Sequence, residues 1–149
     1  MKVSIENVPK GTEEEVIIRC HTVDETIHNI LRLLEVPEQK LLGQVHDEIH
    51  ILEPEKIFYI ESVDRKTFIY CTQQVYESHK KLYELEEELG NHLFFRCSKS
   101  MILNINRIHS VRPMFDGRFE ALLDNNEKVY ISRKYVPVLK QKLGIGRRD

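Results

Sequence analysis

Four short clusters hold side chains that could do chemistry. The first is His46-Asp47-Glu48-Ile49-His50, with two histidines four apart. A metalloprotease H-E-x-x-H needs the glutamate directly after the first histidine, and needs a helix to put both histidines on one face. Neither condition is met. In a strand, His46, Glu48 and His50 would share a face and could make a metal patch. The segment also contains the H-x-E half of a zinc deaminase, but no P-C-x-x-C follows. An exposed polar strand face is the simpler reading, and no metal is assigned. The other three clusters are basic: Arg65-Lys66-Thr67, Ser98-Lys99-Ser100 and Ser132-Arg133-Lys134-Tyr135. Arginine and lysine neutralise phosphates and donate to guanine edges, while serine and threonine donate to phosphates or bases. A helix opening at Arg133 after Ser132 would add backbone N–H groups and its dipole to a phosphate site.

No phosphate-binding loop, dinucleotide fingerprint or nucleophile elbow occurs. Ser98 and Ser100 have no histidine or aspartate partner close in sequence. The expectation is therefore a protein that is not an enzyme, with no cofactor and no small-molecule substrate. Cys20, Cys71 and Cys97 are odd in number and far apart, which suggests neither a disulfide framework nor a zinc site.

The elements that must carry these clusters can be read from spacing. Residues 2–6 alternate polar and apolar as a half-buried strand does, and 9–12 (Pro-Lys-Gly-Thr) make a turn. Residues 15–20 read as a second strand. Thr22 to Glu25 form a capping box, opening a helix to about Glu35 that ends before Pro37. Residues 1–39 are thus expected as a small β-β-α extension. From Lys40 to Asp149 a second unit begins, in which short strands dominate. These are expected at 41–45, 48–52, 57–61, 67–71, 74–76, 108–115, 119–123 and 128–131. The tip at 62–66 suggests a hairpin, and Asp116-Gly117 is a strong hairpin signal. A helix is expected at 79–89, with Gly90 as its C-cap, and a final helix capped by Ser132, with Tyr135, Val136, Leu139 and Leu143 at helical spacing. The fold class is mostly β with short helices, α+β. The run Phe94 to Ile108 is the most informative: it sets Arg96, Ser98, Lys99 and Ser100 between two apolar anchors, the second being Met101 to Leu103.

Composition narrows the partners. Hydrophobic residues at 41% and charged residues at 31% fit a globular chain. No stretch is apolar and long enough to span a bilayer, and no signal-peptide pattern opens the sequence, so a cytoplasmic location is expected. The net charge of −2 hides a gradient. Residues 1–62 carry 6 Lys/Arg against 13 Asp/Glu, whereas residues 96–149 carry 12 against 5. Such a gradient is the footprint expected when only one part of a chain meets a polyanion, the plainer reading being a solvated mixed-charge surface.

At these residues the chain resembles the LytTR DNA-binding domains of bacterial regulators. The landmarks occur in order: Ile57-Phe58-Tyr59-Ile60-Glu61-Ser62; Phe95-Arg96 with Ser100-Met101-Ile102-Leu103-Asn104; Ile108; and Tyr130-Ile131-Ser132-Arg133-Lys134-Tyr135. The likeness runs from about Lys40 to Leu143. It implies packed, mostly antiparallel sheets, with loops rather than a recognition helix entering successive major grooves of double-stranded promoter DNA. Carried over by position, it implies contacts from Lys66 and Thr67, from Lys99, and from Arg133 or Lys134. Arg65, Ser98 and Ser100 complete the candidate set. Many members carry His where Ser98 stands and Arg where Lys99 stands; some have His in place of Thr67. Paired repeats are common binding sites in the family, which implies a homodimer at least on DNA. Response-regulator members carry a receiver domain; residues 1–39 hold no receiver-sized α/β pattern, and a phosphorelay through these residues is not expected. Stand-alone members are often paired with a co-encoded membrane protein. The alternative reading is a protein-interaction module on the same fold with weakened DNA binding.

Overall fold

A computed structural model describes residues 1–34, 40–90 and 92–146. The chain divides into two units, Met1–Pro37 and Glu38–Asp149.

In the first unit the one regular element among the described residues is helix α1, Glu25–Leu33. Its N-cap is Asp24, whose carboxylate accepts from the Ile27 N–H at 3.0 Å. The expected Thr22 cap is therefore displaced by two residues. The helix ends at Leu33; Glu35 and Pro37, where its end was expected, lie outside the described residues. The strands expected at 2–6 and 15–20 do not form. Local chemistry explains why. The turn at 9–12 closes through Thr12 N–H to the Pro9 carbonyl at 3.1 Å, with Gly11 at φ +96°. Positive φ at the third turn position is type II geometry, which splays flanking strands instead of pairing them. A hairpin about that turn would also set Glu6 opposite Glu15 and Lys2 opposite Arg19. Like charges directly opposite destabilise a ladder.

The second unit is built on a seven-stranded antiparallel sheet in the order β2-β1-β5-β4-β3-β7-β6. Its strands are β1 Leu41–Val45, β2 Glu48–Leu52, β3 Ile57–Val63, β4 Lys66–Cys71, β5 Val75–Ser78, β6 Phe94–Ser98 and β7 Met101–Asn104. A three-stranded sheet follows, ordered β10-β9-β8, from β8 Ile108–Pro113, β9 Phe119–Leu123 and β10 Lys128–Ile131. Helices α2, Leu82–Leu89, and α3, Val136–Leu143, complete it. The α2 helix starts three residues later than expected, because residues 79–81 are spent on the turn before it. There the Lys80 N–H bonds the Ser78 hydroxyl and the Lys81 N–H bonds the Glu84 carboxylate.

The large sheet is covered on both faces. Ile57, Ile60, Ile69, Phe94 and Ile102 pack with Leu82 and Leu85 of α2. Phe58, Tyr59, Phe95, Cys97 and Leu103 pack with Ala121, Leu123, Val129 and Ile131 of the small sheet and Leu139 of α3. Alternation along β6 and β7 divides the residues: Phe94 and Ile102 face α2, while Phe95 and Leu103 face the small sheet. Because β3 is central, its run Ile57-Phe58-Tyr59-Ile60 is buried without a polar break. A register shift between Ile57 and Tyr59 puts Ile57 and Ile60 on the same face despite their odd spacing.

Candidate nucleic-acid interface

The antiparallel pairing of β3 with β7 puts the first two basic clusters at the same end of the large sheet, and a hydrogen bond joins the third to the second. Strands β3 and β4 meet in a two-residue turn, Asp64-Arg65, closed by the pair Val63 and Lys66. Both turn residues have positive φ, +50° and +67°, the primed geometry that matches strand twist. Arg65 and Lys66 are exposed at the tip. Thr67 corrects the expectation. It is only 4% exposed, lies on the same face as Ile69, and sits opposite Ser62 and Ser78. A side chain one residue past the tip has turned into the sheet, so Thr67 lies at the base of the hairpin and not at its exposed tip.

Strands β6 and β7 form the neighbouring hairpin, with Lys99 and Ser100 between the paired Ser98 and Met101. Three bonds hold this turn. The Ser100 N–H donates to the Ser98 hydroxyl at 3.3 Å, and the Ser62 N–H donates to the Ser100 carbonyl at 2.8 Å. Arg96 supplies the third: its Nη1 donates to the Lys99 carbonyl at 2.7 Å, while its Nε donates to the Glu86 carboxylate of α2 at 2.8 Å. Ser98 is thus a turn-forming acceptor first, with its own O–H left to donate outward. The Lys99 side chain extends from a backbone fixed on three sides.

The third cluster is tied to the second, since the Ser132 N–H donates to the Cys97 carbonyl at 2.9 Å. Ser132 makes no side-chain cap. Its carbonyl accepts from the N–H groups of Tyr135 and Val136, and residues Arg133–Tyr135 form a 3-10 turn ahead of α3. The expected α-helix N-terminus at Arg133 is therefore absent: Arg133 and Lys134 lie in the 3-10 turn that precedes the α-helix. Arg133 is steered by a glycine. Gly117, in the β8–β9 turn with φ +86°, lies so close that a Cβ there would stand 2.9 Å from Arg133 Cδ. Lys134 Nζ lies 5.4 Å from the ring centroid of Tyr135. Among the described residues no ion pair engages Arg65, Lys66, Lys99 or Arg133. Other cations nearby are committed. Arg112 makes a two-bond fork to Glu120, both at 3.1 Å, and Arg118 pairs with Asp116 at 2.7 Å. The Arg112 guanidinium holds the Glu120 carboxyl below its ordinary range.

Two residues of the signature run prove structural. Asn104 is fully buried; its amide donates to the Ile57 carbonyl at 2.8 Å and its oxygen accepts from the Asn106 N–H at 2.9 Å. Arg96 positions a turn and is not at the tip. Neither role, nor the part played by Gly117, followed from local pattern. A polar residue ending a buried apolar run is the one signal that pointed to Asn104. His46 occupies the β1–β2 turn at φ +55°, away from the strand face of His50, which lies against Tyr76 at 5.3 Å between centroids.

The model of the LytTr DNA-binding domain matches residues 47–144. The chain belongs to the LytTR DNA-binding domain family. Over 102 residues it is 35% identical to the sensory transduction protein LytT of Enterococcus faecalis, covering 68% of this chain and 42% of that protein. The Bacillus cereus LytT is 32% identical over 81% of the chain and 50% of its own length. The chain thus spans about half the length of these curated relatives. An uncharacterized HTH-type transcriptional regulator of Staphylococcus aureus is 26% identical over 97% of the chain and 99% of its own length. A solved LytTr DNA-binding domain from a Bacillus cereus putative response regulator superposes with a TM-score of 0.68 at 27% identity, covering 73% of this chain and all of that one. In this LytTR chain no two described helices are consecutive, since strands separate α1, α2 and α3. Among the described residues there is therefore no helix-turn-helix. Among the described residues no helix is long and apolar enough to cross a membrane.

Proposed function

We propose that the chain is a sequence-specific transcription regulator that reads double-stranded promoter DNA in the major groove through three loops, as a pair of protomers on repeated half-sites. The observation that supports this reading is the set of exposed cations on three neighbouring loop tips. Arg65 and Lys66 lie at the first tip, Lys99 at the second and Arg133 with Lys134 at the third, with the tips tied together through Ser62–Ser100 and Ser132–Cys97. Rigid placement matters because a base contact needs its donor aimed before binding. Arg133 has the planar fork that matches guanine O6 and N7, whereas Lys99 offers a point charge and suits a phosphate or a single base acceptor. The net positive charge of residues 96–149 adds attraction that salt screens.

A gel-shift series tests the assignment. Lys99→Ala and Arg133→Ala should each weaken binding by about 1–3 kcal/mol if they read bases. Unchanged affinity in both variants would remove these residues from the interface. The inward Thr67 and the turn-engaged Ser98 favour a second reading, a protein-interaction module on the same fold. Absence of salt-dependent binding to DNA upstream of its own operon would select that reading.

A further inference from the structure

Residues 15–19, Glu-Val-Ile-Ile-Arg, form no strand ladder although three consecutive β-branched residues favour one. Val16 and Ile17 are 69% and 66% exposed. Pairing within the chain is opposed, since the hairpin partner 2–6 would bring Glu6 against Glu15 and Lys2 against Arg19. Pairing with an identical strand has the reverse outcome. In an antiparallel pair of two copies centred on Ile17, Glu15 of each copy faces Arg19 of the other, twice. Val16 faces Ile18, and Ile17 faces its own equivalent. The segment is self-complementary in both charge and shape, as an isologous twofold interface requires.

We propose that residues 15–19 are a homodimerisation strand, pairing antiparallel with the same strand of a second copy about a twofold axis at Ile17. Each strand pairs the backbone donors and acceptors on one edge of the other and packs Val16 beside Ile18 and Ile17 beside its equivalent. The pairing involves only the first unit and needs no DNA, so it stands or falls independently of the loop assignment.

Sedimentation equilibrium of the full chain without DNA, from about 1 to about 300 µM, tests it. The native chain should show a monomer–dimer equilibrium. Glu15→Arg alone, or Arg19→Glu alone, sets like charges opposite each other twice and should raise the dimer dissociation constant about tenfold. The double variant Glu15→Arg/Arg19→Glu should restore it to within about threefold. Amides at alternate positions within 15–19, either 16 and 18 or 15, 17 and 19, should gain hydrogen-exchange protection as concentration rises. A native chain monomeric throughout, single variants that dimerise like the native chain, or a double variant as weak as the singles would each overturn the proposal. Protection within 15–19 that is independent of concentration would do the same.

Discussion

Replacing Arg96 by alanine should loosen the Lys99 turn without unfolding the domain. The side chain is only 19% exposed and makes two bonds. The ion pair with Glu86 is the smaller of the two. Glu86 is 43% exposed, so solvent screens the pair and leaves it about 0.2–1 kcal/mol. The donation to the Lys99 carbonyl is charge-assisted, for which about 1.5–3 kcal/mol is typical. That carbonyl sits at an exposed turn where water can replace the guanidinium, which places the loss at the lower end. The total expected is about 1.5–2.5 kcal/mol, a fraction of the roughly 5–15 kcal/mol that holds such a domain. Urea unfolding should show a lower midpoint with an unchanged slope. DNA affinity should fall by about 3–10-fold, because Lys99 must then be ordered upon binding. Arg96→Lys should fall between, since an ammonium cannot span both acceptors with the guanidinium fork. A cycle with Glu86→Ala should return a coupling of no more than about 1 kcal/mol. If Arg96→Ala changes neither the midpoint nor DNA affinity, the turn is held by Ser62 and Ser98 alone and the positioning argument is wrong.

Other perturbations have defined outcomes. Asn104→Leu strands the buried Ile57 carbonyl and the Asn106 N–H, and should cost about 2–4 kcal/mol in urea unfolding. Gly43→Ala should cost about 1–3 kcal/mol, because a Cβ there would stand 2.6 Å from Tyr76 Cβ and 2.7 Å from Leu52 Cδ1. The Glu120 carboxyl is held below its ordinary value of 4.5 in the folded state, mainly by its bonds with Arg112. Its stabilisation is therefore complete above about pH 4.5 and lost as pH falls through the lower folded value, and Arg112→Ala should remove that acid-dependent component. Burial pushes the Cys97 thiol up to about 12 and the Cys71 thiol up to about 11, so at pH 8 both should resist a thiol reagent until urea unfolds the chain.

The strand content was legible because hairpins announce themselves locally. Asp116-Gly117 and the polar tip at 62–66 are bounded by β-branched and aromatic runs, and each became an antiparallel pair. The split of Phe94 and Phe95 between two cores follows from strand parity once both faces are covered. Parity was also the signal missed at Thr67: it shares the face of Ile69, a residue that had to be buried. At the N-terminus the alternating pattern was present, yet a pattern states what a strand would bury and not what it pairs with. There the charges in the two segments forbid the local partner. Ser62–Ser100 and Ser132–Cys97 join residues distant in sequence, so no window of sequence contains them. They decide that the three basic clusters are neighbours, which is why the candidate residues could be named from the sequence but their arrangement could not.

The central claim is that these loop tips bind DNA, and a salt titration with footprinting tests it most directly. The native chain would be bound to fragments selected from genomic DNA and compared with Lys99→Ala and Arg133→Ala. The account predicts protections about one helical turn apart and a log–log salt slope of up to about −4 to −5 per protomer from Arg65, Lys66, Lys99, Arg133 and Lys134. Each substitution should weaken binding, and the slope should become shallower by about 1 where the lost cation contacted a phosphate. Binding that ignores salt, or that both variants retain at full strength, would contradict it.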